Sequence, residues 1–106
     1  HRCVHEAVLA ACRPLPASPV DLVACFPILS SSEWRGGHMT SFAPNLFFDV
    51  SDHARVKIDA LREYHSEIRE SPHPRSIDIV EAQMTVWGST IGVRMAEAFS
   101  VVRWRL

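Results

Sequence analysis

PHPRSIDIVEAQMTVWGSTIGVRMAEAFSVVRW, residues 72–104, decides the fold class. Ile77, Val80, Met84, Trp87 and Ile91 recur at the steps of three and four that line up side chains along one side of a helix. Ser76 stands where a hydroxyl can satisfy orphan helix amides, and Asp78 in the first turn complements the helix dipole. Gly88 either ends this helix or lets another segment pack closely within it. Gly92 is the preferred stop, because glycine adopts the left-handed C-terminal conformation without a Cβ clash. From Phe99 to Trp104, with Val101 and Val102 at the centre, the pattern becomes that of a strand.

Working towards the N-terminus, a second helix is expected to run from a cap at Ser51 or Asp52 to about Arg69. Ile58, Leu61, His65 and Ile68 form its inner side, and Arg55 and Asp59 an outer i,i+4 ion pair. Leu46 to Val50 reads as a short strand. Ser30 to Pro44, with three consecutive serines, Gly36-Gly37 and a proline, has no sustained period and reads as a long loop. Val20 to Phe26 is apolar on both of its faces, so a strand inside a sheet is expected there. His1 to Cys12 places Val4, Val8, Ala11 and Cys12 along one side of a first helix, which Arg13-Pro14, Pro16 and Pro19 stop. The order helix-strand-loop-strand-helix-helix-strand is that of an α/β domain open at its front, and the sheet is expected to have further strands.

The 106 residues set a ceiling of one domain. A net charge of -1 with no basic stripe argues against nucleic acid as a partner. No apolar run approaches the roughly 20 residues that cross a bilayer. Cys3, Cys12 and Cys25 are odd in number and lack C-x-x-C spacing, which suits buried thiols in the reducing cytoplasm better than a disulfide framework. His1 stands where Met is usual, and the helix begins with no cap before it, so further residues are expected upstream.

Six histidines are many for this length. His1 and His5 are one helical turn apart, a spacing that can aim two imidazoles at one metal, but no H-E-x-x-H is present. Spacing alone therefore favours helix-end histidines over ligands. His53 reads as solvated and His65 as a hydrogen-bonded core residue. In Pro72-His73-Pro74-Arg75-Ser76 two prolines hold a histidine and an arginine just before a helix N-terminus. That corner binds an anion or hydroxyl through Arg75, His73 and free amides, or it is a rigid turn whose Arg75 pairs with an acid such as Glu70 or Asp78. The two readings stand level. Glu33-Trp34 offers a carboxylate and an aromatic wall to a sugar, or a plug over the core. Glu97, among apolar neighbours at the entrance to the last strand, needs a partner if buried, either an arginine or amides.

Several blocks in order resemble the C-terminal half of the LmbE-like, or PIG-L-type, zinc N-deacetylases. They are Pro44-Asn45-Leu46-Phe47-Phe48-Asp49-Val50-Ser51, Lys57 with Ala60-Leu61, Tyr64-His65-Ser66-Glu67-Ile68-Arg69, Pro72 to Ser76, Gly88, Gly92, and Ala96-Glu97-Ala98-Phe99 with Arg103. Glu33-Trp34 ahead of Phe42 also fits. His1-Arg2 followed by a helix is similar to the end of the family's H-x-D-H motif, which makes His1 a zinc ligand.

The resemblance implies an incomplete Rossmann-like layered fold. The A-H-P-D-D-E block, with the other protein ligands and the aspartate base, and the catalytic histidine would all lie upstream. It further implies removal of an acetyl or other acyl group from the nitrogen of an amino sugar or related conjugate, with Zn2+ activating a water and polarising the amide carbonyl. Residues 1–106 would then be the C-terminal part of one such domain, inactive alone and belonging to a homo-oligomer. His73, Arg75, Glu33 and Trp34 would border substrate or a neighbouring subunit, with Glu97 structural. The alternatives are a non-catalytic assembly module, with His1 an incidental end residue, and a degenerate family member.

Overall fold

A computed structural model of the chain describes residues 1–34 and 42–106. Its elements are α1 (Arg2–Ala11), β1 (Leu22–Cys25), β2 (Leu46–Asp49), α2 (Ala54–Arg62), α3 (Ile77–Ile91) and β3 (Ala96–Trp104), so the chain is mixed α/β in the expected order. The strands form an antiparallel sheet of order β1-β3-β2. β3 starts at Ala96, three residues before the start read from its valines, because Ala96 and Ala98 pair with Asp49 and Phe47 of β2.

The core forms where α2 and α3 meet the sheet. Ala54, Ile58, Val80 and Met84 are buried together, with Leu29, Val50, Leu61, Ile77 and Met95 packed around them. Ile58, Val80 and Met84 are each 2% exposed. Burial of a side chain of this size contributes about 1.5–3 kcal/mol. Two small residues in β3, Ala96 and Ala98, are buried with them, and Phe42 and Phe47 meet the Trp87 ring at centroid distances of 6.4 and 6.2 Å.

α3 runs as its periodicity implies and stops at Gly92, whose φ of 76° is the left-handed geometry that glycine tolerates. Gly88 serves close packing. A Cβ there would lie 2.6 Å from the Val93 carbonyl oxygen and 2.8 Å from the Arg94 carbonyl, where the chain folds back into β3. Both groups are backbone and have no rotamer with which to yield.

Three expectations are corrected. α2 ends at Arg62 and not near Arg69. Tyr64 N–H bonds back only three residues, to the Leu61 carbonyl at 3.0 Å, and the tightened turn leaves His65 exposed outside the core. An imidazole in the third position of an apolar stripe gives too little burial to hold a further two turns of helix. Neither Ser51 nor Asp52 caps α2, since its N-cap is His53. The Ser51 hydroxyl is instead taken by Asp49 at 2.6 Å, while Arg94 donates to the Ser51 carbonyl at 2.7 Å and Met95 N–H to its hydroxyl at 3.2 Å. Finally, β1 lies at an edge and only Val23 of it is buried. The nine-residue β3 occupies the centre, and the pairing of β1 with it shifts register between Val23 and Ala24.

α1 buries no residue. It is tied to the rest by polar contacts at its two ends. His5 Nδ1 lies 3.6 Å from Cys25 Sγ, and Arg103 donates to the Cys12 carbonyl at 2.7 Å. The exposed ion pair of Arg55 with Asp59 forms as read, at 3.2 Å, and Arg62 joins it at 2.9 Å. Among the described residues no helix is long and apolar enough to cross a membrane.

Candidate functional site

The prolines at 72 and 74 place His73 and Arg75 on a turn that leads directly into α3. His73 N–H donates to the Glu70 carbonyl at 3.1 Å and Ser76 N–H to the His73 carbonyl at 2.8 Å. Arg75 N–H donates to His73 Nδ1 at 3.0 Å. A ring nitrogen that accepts cannot carry the proton, so the neutral imidazole has its proton on Nε2, where it is a donor.

The Arg75 guanidinium leaves the turn in two directions. Its Nη1 pairs with the Glu67 carboxylate and its Nε donates to the Ser30 hydroxyl at 3.1 Å. The pairing with an acid that the rigid-turn reading expects is present, and the acid is Glu67, not Glu70 or Asp78. Those two lie nearer in sequence, but the turn after α2 carries Glu67 up to the guanidinium. Ser30 has a φ of 68°, a left-handed conformation that a residue with a Cβ adopts at a cost of about 1–2 kcal/mol. The Arg75 bond is one of the contacts that hold it there.

Trp34 meets the His73 ring edge-on, with centroids 5.2 Å apart and an interplanar angle of 82°. It is 63% exposed, so it forms an open wall and not a plug over the core. Glu33 beside it is exposed. The loop and the corner, distant in sequence, therefore meet through Ser30, Trp34, His73 and Arg75. The rest of the loop, residues 35–41 with His38, lies outside the described residues.

Ser76 is buried, and its Oγ has no hydrogen-bond partner at good geometry. The Asp78 carboxyl is the group close enough to feel that hydroxyl. The Ser76 hydroxyl, then that of Ser71, holds the Asp78 carboxyl below the usual carboxylate range, against a smaller opposing effect of burial. The N-terminus of α3 thus already has a carboxylate beside it.

Glu97 is half-buried and pairs with Lys57 of α2 at 2.6 Å, with side chains 34% and 38% exposed. The partner is a lysine, where an arginine or amides were expected. The pair stands beside a cavity of about 210 Å³ whose walls include Met84, Trp87, Phe26 and Phe99, with the Gln83 amide at its edge. Sequence reasoning missed Ser30 and Gln83, and it missed the ion-pair roles of Glu67 and Lys57, which stood out only as parts of the resembling blocks. For Lys57 a signal existed, because an acid entering a central strand requires a cation, and Lys57 is the one cation among the half-buried positions of α2.

His1 is the N-cap of α1, exposed, with its carbonyl accepting from His5 N–H at 3.0 Å. Among the described residues no group of three or more His, Cys, Asp or Glu side chains could hold a metal ion. His5, the other half of the spaced pair, faces Cys25. The described residues alone do not fit zinc. All three cysteines are free.

The chain matches no family model and no curated protein.

Proposed function

We propose that this chain is the C-terminal part of a cytoplasmic, zinc-dependent N-deacetylase of the LmbE-like type, with an incomplete Rossmann-like layered fold, acting on an N-acyl amino sugar or related conjugate. The observation that carries the reading is the ordered set of sequence blocks from Glu33 to Arg103, together with the meeting in space of the first of them with a much later one. The block containing Glu67 and Pro72 to Ser76 are neighbours in sequence. Glu33-Trp34 lies far from both, yet Trp34 meets His73 beside the Arg75–Glu67 pair. Convergence of that kind is what a binding function demands of separate blocks.

In this reading the corner handles substrate. Arg75 keeps N–H groups beyond those given to Glu67 and Ser30, His73 offers Nε2–H, and Trp34 presents an exposed aromatic face. Together they suit the hydroxyls and one apolar face of a sugar ring. His1 serves as one metal ligand, and the remaining ligands and the general base belong to residues upstream of it. The Lys57–Glu97 pair is structural. The domain works as a homo-oligomer.

A second reading, an assembly module, draws on α1, whose Val4 and Val8 are 66% and 45% exposed. Two measurements separate the readings. The gene should encode H-x-D immediately before His1 and A-H-P-D-D-E further upstream. The intact protein should release acetate from an N-acetylglucosamine conjugate only with zinc, and His1→Ala should abolish that release. Absence of the upstream motifs, or full activity in His1→Ala, would falsify the deacetylase reading.

A further inference from the structure

At the end of β1 away from Ser30 and Trp34, Pro14, Leu15, Pro16 and Val20 enclose a cleft of about 240 Å³ together with Arg103 and Arg105. The cleft lies by the C-terminal end of α1, about 15 Å along that helix from His1 at 1.5 Å per residue. It shares no residue with the corner and does not depend on the deacetylase reading.

The two arginines differ. Arg105 is neutralised, since its guanidinium pairs with Asp21 at 2.5 Å and donates to the Ser18 carbonyl at 3.0 Å. Arg103 is half-buried and donates to the Cys12 carbonyl at 2.7 Å, but no carboxylate among the described residues lies within ion-pair distance of it. Residues 35–41 contain no acid that could supply one. The cleft therefore holds one uncompensated positive charge, partly removed from water, against apolar walls that include two proline rings.

A guanidinium in that position favours a counter-ion, and its fork of five N–H groups matches a carboxylate in two parallel bonds. The prolines hold the walls rigid, so little entropy is lost on binding. A single free guanidinium suits a single negative charge better than a phosphate dianion, which requires more donors. The volume lies below the roughly 300–1,000 Å³ of ordinary drug-sized pockets, which limits the ligand to one ring or a short branched chain. We propose that this cleft binds a small monocarboxylate with an apolar body, its carboxylate on Arg103 and its body against Pro14, Pro16 and Val20.

Calorimetric titration of the intact protein with benzoate, benzamide and acetate tests this. Benzoate should bind saturably, and benzamide, which has the same shape without the charge, about tenfold or more weakly. Acetate, which has the charge without the body, should also be weaker. Arg103→Gln should lower benzoate affinity about tenfold or more, with Arg103→Lys falling between. Equal binding of benzoate and benzamide to the unaltered protein would overturn the proposal with no variant needed. So would a folded Arg103→Gln protein that retains benzoate affinity, or a dimer that Arg103→Gln disperses and benzoate does not, which would assign the cleft to a second copy of the chain.

Discussion

α1 and α3 are both helices with an apolar side, yet one buries nothing and the other carries the centre of the core. Val80, Met84 and Gly88 of α3 are buried against α2 and the sheet, whereas every residue of α1 is exposed. Periodicity reports which side of a helix would be buried if something covered it; it does not report whether anything does. Around α3 the neighbours are local in sequence. Its C-cap at Gly92 turns the chain straight into β3, and Gly88 lets that turn close. α1 is followed by a segment with Pro14, Pro16 and Pro19, and the next strand, β1, presents only Val23 to the interior. Stability should therefore be concentrated in residues 42–106.

The largest expected effect comes from breaking the packed side of that comparison. Met84→Ala empties a fully buried site between α2, α3 and the sheet, and should lower unfolding free energy by about 2–5 kcal/mol. Denaturant titration followed by circular dichroism measures it. A loss below about 1 kcal/mol would mean that the residues around Met84 collapse into the space, and that the core is less tightly packed than its burial implies.

The opposite region should hardly respond. Val8→Ser on the apolar side of α1 should change stability by no more than about 0.5 kcal/mol, as do most substitutions of exposed residues. The same denaturant titration applies. A cost comparable with that of Met84→Ala would place a covering surface over α1 and remove the contrast between the two helices.

The contrast also explains what could be read in advance. α3 was legible because N-cap position, periodicity and stop signal agreed within one short segment, although the Ser76 hydroxyl at that position caps no helix amide. The strand at Leu46 and the Arg55–Asp59 pair were legible for the same reason. Taking His65 as an inner residue extends α2 too far, and apolar residues on the two faces of β1 do not guarantee it two neighbours. At the corner, His73 and Arg75 stood out through the prolines around them, and Trp34 through its carboxylate neighbour. The roles of Ser30 and Glu67 were invisible, because they arise only when a loop and a post-helix turn meet in three dimensions.

The smallest effect concerns Ser51, which joins the start of α2 to the start of β3. Its hydroxyl, then its backbone N–H, donates to Asp49 at 2.6 and 2.9 Å, and with the nearby Arg94 charge these hold the Asp49 carboxyl below the ordinary carboxylate range against a weaker effect of burial. A carboxyl whose folded value lies below its unfolded value binds protons more readily when unfolded. Its contribution is therefore complete above the unfolded value and is lost as pH falls through the folded one. At neutral pH the junction should be intact, and acid should loosen it over the range below the usual aspartate titration. NMR titration of the Asp49 side chain should give a midpoint below that of a free aspartate, and Ser51→Ala should move it back up. The loosening should reach Met95 N–H as well, since that group bonds the same hydroxyl at 3.2 Å. If Ser51→Ala left the Asp49 midpoint in place, the backbone N–H of residue 51 and not the serine hydroxyl would be holding the carboxyl ionised, and the hydroxyl would contribute only its bond to Met95.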